Sequence, residues 1–414
     1  MITIQDFRNL HAFHIERERV QTEHEYVVGS IIDGVRREGD AALLHYAKRL
    51  DDLGDLPLQV SEDELAAAER VMCTKVRNAV DLAIRNIREF AEAQLPREHF
   101  EEFSPGRKLG WIVRPLDAVG CYIPSGRYPL VSTLLMTAVL AQTAGVPRIC
   151  ITSPKPSTEI LGCAHLLGIK EVYRVGGAQA IAAMAFGTLT IARVNRIVGP
   201  GNAYVAAAKK LLAGEVGIDF VAGPTEIMIL AGNGDARVIA ADMLAQAEHD
   251  TEASAILVTC SERLANAVRV ELEDQLQTLP TREIAGQSIS KNGRIYLVSD
   301  INAAVLLVNM WAPEHLSLHD PSLLPQIKNA GTVLLGQSSP ESAADYAAGP
   351  SHVLPTLGGA RLRGGLSAAD FVKVIAIQQL SPSALHELAP VITTLARAEG
   401  LEAHARAVEV RSVQ

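Results

Sequence analysis

The sequence contains little cysteine and lacks any segment that predicts a membrane anchor. Its five cysteines are scattered, without a Cys-x-x-Cys pair, at Cys73, Cys121, Cys150, Cys163 and Cys260. This spacing argues against a disulfide framework and a thiolate metal site, and it favours a reducing, cytoplasmic environment. The most apolar stretch, residues 131–146, is interrupted by Ser, Thr and Gln, whereas a membrane span needs about 18 uninterrupted apolar residues. The N-terminus has no basic region followed by an apolar one, so no secretory signal is expected.

Basic residues do not outnumber acidic residues in this sequence. The 414 residues include 38 Lys and Arg against 47 Asp and Glu, which gives a formal net charge of −9. Because phosphate backbones are bound by clustered Lys and Arg, this balance argues against nucleic acid as a general partner, although it leaves room for a local anion pocket. The Gly-x-Gly-x-x-Gly fingerprint of dinucleotide-binding folds is absent as well.

The residues that are present predict an α/β protein of two or three domains. Apolar residues make up 48% of the chain, and the length is ample for sizeable cores. From Trp111 onward, short apolar runs alternate with Ala-rich helical segments, which is typical of a parallel α/β sheet. The predicted strands are residues 148–152, 172–175, 196–198, 226–230, 255–259, 304–308 and 332–335. The predicted helices are residues 158–167, 178–186, 203–212, 236–248 and 262–276.

Two flanking regions are predicted to be helical. Residues 17–95 are highly charged and show apolar residues at helical spacing, which indicates amphipathic packing helices. A boundary between two α/β units is predicted near Gly223. The last ~45 residues are predicted to be helices broken at Pro382 and Pro390, an appendage too short to bury its own core well.

Two glycine-containing turns each follow a predicted strand and precede a predicted helix. They are Gly176-Gly177-Ala178-Gln179 and Gly199-Pro200-Gly201-Asn202. Each could present helix N-terminal N–H groups to a phosphate. Alternatively, each is only a tight strand-to-helix turn that needs glycine for its backbone dihedral angles. Their occurrence in successive units favours a shared ligand crevice at the carboxyl ends of the strands.

Two short constellations could carry metal binding and acid–base chemistry. Gln246 and His249 lie three residues apart, on one face of a helix, and an amide oxygen with an imidazole nitrogen suits zinc or a related divalent ion. The alternative is a solvated helix end. Glu314 and His315 are adjacent in an apolar context, where burial without purpose is costly, and they could supply two acid–base groups of different intrinsic pKa. The alternative is a surface turn with incidental charges.

Residues 339–356 are dense in Ser, Asp, Tyr, His, Gly and Pro, a composition typical of a loop that holds side chains at fixed geometry. Within this segment, Asp345 could be a hard oxygen ligand and His352 a donor or a ligand. Near the C-terminus, the run Glu399-Gly-Leu-Glu-Ala-His404 supplies a further acid and a further histidine. The alternative for this histidine is a simple position on a helix surface.

Taken together and in this order, the motifs resemble those of the histidinol dehydrogenase family over essentially the whole chain. The matching segments include both glycine turns, Gly-Pro-Thr-Glu at residues 223–226, and the runs around Gln246, His249, Glu314, His315, Asp345, His352 and His404. The family oxidises L-histidinol to L-histidine through L-histidinal, with two hydride transfers to NAD, as the last step of histidine biosynthesis. The resemblance implies a homodimer with one Zn²⁺ per subunit, NAD as cofactor and a small-molecule substrate, without a nucleic-acid or membrane partner.

The resemblance also implies roles for individual residues. The implied metal ligands are Gln246, His249, Asp345 and, from the partner subunit, His404. Glu314 and His315 would be the catalytic acid–base residues. The implied contacts to NAD are Tyr122, Gln179 and Asn202. The implied substrate-binding positions are Thr225, Gln246, His249, His315, Asp345, His352, Glu399 and His404.

The fold that the resemblance implies is α/β. It has two incomplete Rossmann-like parallel-sheet domains, one inserted in the other, and small, mainly helical tail domains swapped in a homodimer. The first domain would span residues 12–121 and 225–366 and carry the metal and acid–base residues. The second would span residues 122–224 and bind NAD, and residues 1–11 and 367–414 would form the dimerisation tails.

The chain departs from the usual family pattern at four positions without losing a ligand or an acid–base group. Gly, Ser, Gly and Asn of the usual pattern are replaced by Ser125, Thr225, Ala344 and Ser351. Two other functions stay open. One is a paralogous NAD-dependent dehydrogenase of another small hydroxyl compound, which substrate profiling would identify. The other is a catalytically silent nucleotide-binding or assembly protein on the same scaffold, which a metal content near zero would indicate.

Overall fold

The structure, a computed structural model, describes residues 2–7, 23–125 and 129–412. Its strands are β1 (Thr3–Asp6), β2 (His99–Ser104), β3 (Arg107–Pro115), β4 (Ala118–Tyr122), β5 (Arg148–Thr152), β6 (Glu171–Tyr173), β7 (Arg196–Val198), β8 (Gly217–Ile218), β9 (Glu226–Leu230), β10 (Ser254–Thr259), β11 (Arg294–Leu297), β12 (His315–Leu318), β13 (Thr332–Leu335) and β14 (Val372–Leu380). Its α-helices are α1 (Glu23–Glu38), α2 (Asp40–Leu50), α3 (Glu62–Val71), α4 (Thr74–Gln94), α5 (Val131–Thr143), α6 (Thr158–Leu166), α7 (Gly177–Phe186), α8 (Ala203–Leu212), α9 (Ala236–Ala247), α10 (Glu262–Thr278), α11 (Arg282–Lys291), α12 (Ile301–Trp311), α13 (Glu341–Tyr346), α14 (Pro382–Ala398) and α15 (Glu402–Ser412).

Two parallel sheets form the centre of the fold. Among the described residues, the larger sheet has the strand order β1-β11-β10-β9-β12-β13, and the smaller sheet has the order β6-β5-β4-β7-β8. Neighbouring strands run parallel throughout both sheets. The strand order reverses between β9 and β12 in the larger sheet and between β4 and β7 in the smaller one. Such a switch point is typical of Rossmann-like sheets and opens a crevice between the loops that follow the strands.

The prediction of an α/β protein with parallel sheets is confirmed. The predicted bounds are reproduced for β5, β7, β9 and β13. These runs are short, apolar and rich in Ile and Val, and polar residues or turns bound them, so the sequence pattern alone locates them. The smaller sheet lies between β1 and β9 in the sequence, so it is inserted in the unit of the larger sheet.

The helices between residues 23 and 94 pack on the smaller sheet. α1 and α2 bury Val28, Val35 and Leu43 in one core with α7 and α8, while α3 and α4 pack on α6 and α5. The predicted division, in which residues 12–121 join the unit of the larger sheet, stays a prediction, although these helices contact elements of the smaller sheet. Helical periodicity identifies the apolar face of a helix, but it does not identify the sheet that this face covers.

The N-terminal residues differ from the predicted tail. β1 is the edge strand of the larger sheet and pairs in parallel with β11, and Ile2 is buried in the core of that sheet. Residues 8–11 of the predicted tail lie outside the described residues. The described part of this segment therefore completes a sheet of its own chain, and its part in dimerisation stays a prediction.

The predicted strand at residues 304–308 is part of helix α12. Asp300 caps this helix by accepting the N–H groups of Asn302 and Ala303. A short run of Ala, Val and Leu cannot be assigned to a strand or a helix by periodicity alone, so the expectation was wrong here. The strand follows instead at β12, after Ala312 ends the helix in a left-handed conformation with φ of 54°.

The C-terminal region was predicted to be helical, but it also contributes a strand. β14 pairs antiparallel with β3, and β3 pairs with β2, which forms a three-stranded sheet within the described chain. The missed strand mixes Val and Ile with Lys and Gln, as a half-exposed strand does. α14 starts at Pro382 and continues through Pro390, so neither proline breaks a helix. No described helix combines the length and the apolar character needed to cross a membrane.

Candidate active site

The candidate acid–base residues lie at the amino-terminal edge of the larger sheet. His315 is the first residue of β12 and Glu314 precedes it, while Glu226 is the first residue of β9 and Thr225 precedes it. The two strands are neighbours, with His315 opposite Ile227, so the two dipeptides meet across the switch point. Ligands of parallel sheets usually bind at the opposite, carboxyl edge, and the general rule for such folds would therefore not locate this site.

Hydrogen bonds fix the carboxylate of Glu314. Its Oε2 accepts from the Thr225 hydroxyl at 2.6 Å and from the backbone N–H of Glu226 at 2.8 Å. The Thr225 hydroxyl in turn accepts from the Gln246 side-chain amide at 3.1 Å. Glu314 is 5% exposed, and burial raises its pKa to about 7. A carboxyl group with a pKa near neutrality is well suited to general acid–base catalysis.

The imidazole of His315 is buried among three carboxylates. Its Nδ1 lies 3.5 Å from Glu341 Oε1 and 3.8 Å from Glu314 Oε2, and its Nε2 lies 3.7 Å from Asp345 Oδ1. These separations exceed hydrogen-bond length, and neither ring nitrogen has a hydrogen-bond partner among the described residues. Burial disfavours the imidazolium, but the surrounding negative charge outweighs burial and raises the pKa of His315 above its ordinary value.

Helix α13 contributes two buried carboxylates to the surroundings of His315. Glu341 and Asp345 are four residues apart and therefore share one face of the helix. Together with His249, which lies just beyond the end of α9, they offer ligand atoms within 4.8 Å of one another. Buried oxygens without a partner in the described chain occur on Glu341, Asp345 and Gln246. Mixed nitrogen and oxygen donors of this kind suit zinc or manganese.

Glu341 belongs to the site although the sequence analysis does not single it out. The available signal is the run Glu341-Ser-Ala-Ala-Asp345, whose four-residue spacing places both acids on one helix face. Because the segment is predicted to be a loop, that spacing carries no weight at the level of sequence. Burial raises the pKa of Glu341, whereas at Asp345 the facing His315 outweighs burial and the pKa is lowered.

His352 links this cluster to the smaller sheet. Its Nδ1 donates to the backbone carbonyl of Asp345 at 3.0 Å, and its Nε2 accepts from the Thr133 hydroxyl at 3.2 Å. Burial lowers the pKa of His352, which favours the neutral tautomer that these two hydrogen bonds require. Thr133 lies in the first turn of α5, the helix that follows β4. The acid–base cluster therefore adjoins the switch point of the smaller sheet.

Tyr122, Gln179 and Asn202 lie at the carboxyl edge of the smaller sheet. Tyr122 ends β4, Gln179 is in the first turn of α7, and Asn202 caps α8 by accepting its first N–H groups. Gly199 follows β7 with φ of 112°, and a Cβ atom there would lie 2.2 Å from the backbone oxygen of Tyr122. Only glycine permits this approach, so the glycine turn brings the ends of β4 and β7 together.

The first glycine turn is closed by side chains of its own chain. The N–H of Gly176 donates to the carboxylate of Asp51 at 3.0 Å, and the N–H of Gly177 donates to the Tyr122 hydroxyl at 3.2 Å. The same Asp51 oxygen accepts from the Gln179 amide at 3.0 Å. No sequence signal marks Asp51, because it lies 125 residues before Gly176.

The second glycine turn is closed in the same way. The N–H of Gly199 donates to the Asp219 carboxylate at 2.8 Å, and Asn202 takes the first N–H groups of α8. These hydrogen bonds occupy the N–H groups of Gly176, Gly177 and Gly199, and phosphate binding by the other N–H groups of the two turns stays a prediction. The alternative, tight turns that need glycine for their dihedral angles, describes the local structure of both.

Glu399 and His404 do not join the cluster of their own chain. Glu399 caps the end of α14 and His404 lies on α15, and both residues are exposed. The group of metal-type donors found within residues 2–7, 23–125 and 129–412 consists of His249, Glu341 and Asp345. One chain therefore does not assemble the full predicted ligand set.

Two Rossmann-like sheets beside a cluster of histidines and carboxylates define an α/β protein with a candidate acid–base site. The family model described as histidinol dehydrogenase matches residues 15–412. The histidinol dehydrogenase of Rhizobium meliloti (strain 1021) is 45% identical over 414 residues, 98% of this chain and 95% of that protein. That of Halalkalibacterium halodurans is 47% identical over 393 residues, 93% of each chain. The crystal structure of histidinol dehydrogenase from Elizabethkingia anophelis has a TM-score of 0.93 and 35% identity and covers 99% of this chain, which in turn covers 98% of that one.

The chain belongs to the histidinol dehydrogenase family, and the predicted resemblance is confirmed. It is therefore an oxidoreductase of histidine biosynthesis that acts at the final step. The matched region includes every candidate site residue from Tyr122 to His404.

Proposed function

We propose that the chain oxidises L-histidinol to L-histidine through L-histidinal, with two hydride transfers to NAD, as a zinc-dependent homodimer in the cytoplasm. The observation that supports this best is the position of Glu314 and His315. They face the buried carboxylates of α13, and the contact of His352 with Thr133 connects this cluster to the smaller sheet. An acid–base pair thus lies beside a crevice of the kind that holds dinucleotides.

The donor set fits a divalent metal ion. Buried oxygens of Gln246, Glu341 and Asp345 have no hydrogen-bond partner in the described chain, and polar atoms withdrawn from water are costly unless a ligand satisfies them. We assign Gln246, His249 and Asp345 as metal ligands, with His404 of the partner subunit as the fourth. When bound, zinc would orient the amine and the imidazole of the substrate, and it would take no part in electron transfer.

NAD is proposed to lie along the carboxyl edge of the smaller sheet and to contact Tyr122, Gln179 and Asn202. The substrate would then lie between the acid–base pair and the metal ligands. Its proposed contacts are Thr225, Gln246, His249, His315, Asp345, His352 and, from the partner subunit, Glu399 and His404. NAD supplies the acceptor for a hydride in each of the two oxidations.

His315 is assigned as the base of the alcohol oxidation. Its buried ring nitrogens have no hydrogen-bond partner in the described chain, and the surrounding carboxylates raise its pKa, which makes the neutral imidazole a stronger proton acceptor. His315 takes the proton of the substrate hydroxyl, and a hydride passes to NAD from the carbon atom that carries this hydroxyl. The product is the aldehyde. The carboxylates of Glu341 and Glu314 face Nδ1 and stabilise the imidazolium that this transfer produces.

Glu314 is assigned to the aldehyde oxidation. Thr225 and Glu226 both donate to Oε2, and we assign Oε1 to the attacking water. The carboxylate takes a proton from this water as its oxygen bonds to the aldehyde carbon. A second hydride then leaves the hydrate, and the product is a carboxylic acid. Retention of the aldehyde in a closed site prevents its release between the two steps.

Formation of NADH from a panel of alcohols, with and without a chelator, tests the proposed function. We expect L-histidinol to yield two NADH per molecule oxidised and a chelator to abolish this yield. Preference for another hydroxyl compound would instead indicate a paralogous dehydrogenase. A protein that binds no metal and reduces no NAD would indicate a catalytically silent scaffold.

His249→Ala is expected to remove the metal and the activity while the fold persists. The side chain is exposed and lies beyond the end of α9, so its truncation leaves no cavity in a core. Metal content by mass spectrometry and thermal unfolding measure the two effects. His45→Ala, which changes an exposed histidine of α2, is the matched control. Full metal occupancy in His249→Ala would contradict the ligand assignment.

Thr225→Val is expected to lower kcat by about 10- to 100-fold, because a hydrogen bond to a buried charged group contributes about 1.5–3 kcal/mol. The substitution keeps the shape of the side chain but removes the hydroxyl that orients Glu314 and binds Gln246. Steady-state rates with L-histidinol and with L-histidinal measure the loss. Thr225→Ser keeps the hydroxyl and should stay close to the parent enzyme. Unchanged rates in the valine variant would show that this hydroxyl does not orient the carboxylate.

A further inference from the structure

The smaller sheet contains a buried ion pair that lies outside the acid–base cluster. Lys209 Nζ is 2.7 Å from Asp219 Oδ1, and the two residues are only 2% and 5% exposed. Lys209 lies on α8, and Asp219 directly follows β8. Burial of two charges costs free energy that their attraction does not reliably return, and apolar residues of similar volume often replace such pairs without loss of stability. Stability alone is therefore a weak reason for this pair.

Both members of the pair bind the backbone of Gly199. The Lys209 ammonium donates to its carbonyl oxygen, and Asp219 Oδ2 accepts from its N–H at 2.8 Å. Asp219 Oδ1 also accepts from the N–H of Phe220 at 2.7 Å. The N–H of Gly199 is thus bound by a carboxylate and its carbonyl oxygen by an ammonium group. Glycine has no side chain of its own whose contacts could fix the conformation of this residue.

Gly199 opens the turn that ends at Asn202, the cap of α8. The φ of 112° at Gly199 is accessible to glycine together with many other conformations, so a free glycine would lose considerable backbone entropy to adopt it. Lys209 lies seven residues after Asn202, which is about two turns along the helix. The ion pair therefore ties the body of α8, the turn and the exit of β8 to one another.

We propose that Lys209 and Asp219 are positioning residues that hold the turn from Gly199 to Asn202 in the conformation that receives NAD. The inference rests on the proposed contact between NAD and Asn202. Apart from their own ion pair, the side-chain hydrogen bonds of the two residues end at the backbone of Gly199 and of Phe220. The pair therefore sets the affinity for NAD and does not act on the metal site or on the binding of L-histidinol.

Calorimetric titration of NAD into the full-length, zinc-loaded enzyme tests this inference. Lys209→Met should raise the Kd for NAD about tenfold or more, as loss of a charged hydrogen-bond donor to the turn requires. The KM for L-histidinol and the zinc content should not change. Lys210→Met is the matched control, because Lys210 is the next residue of α8 but forms an exposed ion pair with Glu25. Its Kd for NAD should equal that of the parent enzyme.

A double variant, Lys209→Met with Asp219→Asn, separates positioning from stability. Lys209→Met alone leaves a buried, unpaired charge and should lower the melting temperature, whereas the second substitution removes that charge. The double variant should regain melting temperature but keep the weak affinity for NAD, since Gly199 still lacks its ammonium donor. Parent-like affinity in a stable double variant would overturn the inference, and this variant decides the question even where Lys209→Met does not fold. A parent enzyme that binds no NAD would instead refute the proposed function.

Discussion

Replacing His315 by asparagine is expected to lower kcat for the oxidation of L-histidinol by about 10²–10⁴-fold, the usual contribution of a general base. Asparagine keeps a planar polar group at the start of β12, but it cannot accept a proton near neutral pH. The position is 3% exposed and enclosed by the carboxylates of Glu314, Glu341 and Asp345. Among the described histidines, His315 is the one whose ring nitrogens lie within ion-pair distance of these three carboxylates. Initial rates of NADH formation measure the loss, and zinc content with circular dichroism monitors the integrity of the site.

The companion substitution Glu314→Gln should slow the oxidation of the aldehyde more than the oxidation of the alcohol. Its carbonyl oxygen can still accept from Thr225 and Glu226, so the side chain keeps its place, but it no longer takes a proton from water. Rates with L-histidinal as substrate should therefore fall more than the rate of the first hydride transfer from L-histidinol. Single-turnover measurements separate the two steps. Equal losses in both steps would contradict the division of roles between Glu314 and His315.

Several members of the buried cluster could be located from the sequence by their local chemistry. Glu314 and His315 are adjacent ionisable residues in an apolar run. Because burial of such residues is costly without a purpose, they can be recognised as candidates without knowledge of the fold. Gln246 and His249 were singled out by their three-residue spacing, although the structure places His249 just beyond the end of α9 rather than on the helix. Six strands of the two parallel sheets could be located because each is a short apolar run with polar residues or turns on both sides, namely β5, β6, β7, β9, β10 and β13. The sequence pattern did not locate β1, β4, β8, β11 and β12.

Residues whose role depends on tertiary packing could not be predicted. Asp51 closes the turn at Gly176 from 125 residues away, and Thr133 meets His352 across 219 residues. Nothing in the neighbourhood of either residue indicates its partner. Glu341 is an intermediate case, because its spacing from Asp345 is informative only once the segment is known to be a helix. Local patterns thus identify acid–base chemistry, whereas the residues that orient it come from the packing of distant segments.

The C-terminal region exposes several large apolar side chains. They include Val391 and Leu395 of α14, Val410 of α15, and Leu401 between the two helices. Exposed apolar patches on a folded protein mark interaction sites, and these side chains fit the proposed homodimer. His404 lies on the same module, away from the donors that its own chain assembles around α13. A two-fold arrangement would bury this face and bring each His404 to the cluster of the other subunit.

Mixing two inactive variants, His404→Ala and His249→Ala, is expected to restore activity after subunit exchange. If His404 acts in the partner subunit, each mixed dimer has one site that carries both lesions and one site that carries neither. Activity should then return to at most about half of the parent value per mixed dimer, by that count of sites. Either variant incubated alone under the same exchange conditions is the control and should stay inactive. If His404 serves its own chain, every site keeps one lesion and the mixture stays inactive, which would refute the exchange of tails while leaving the ligand assignment intact.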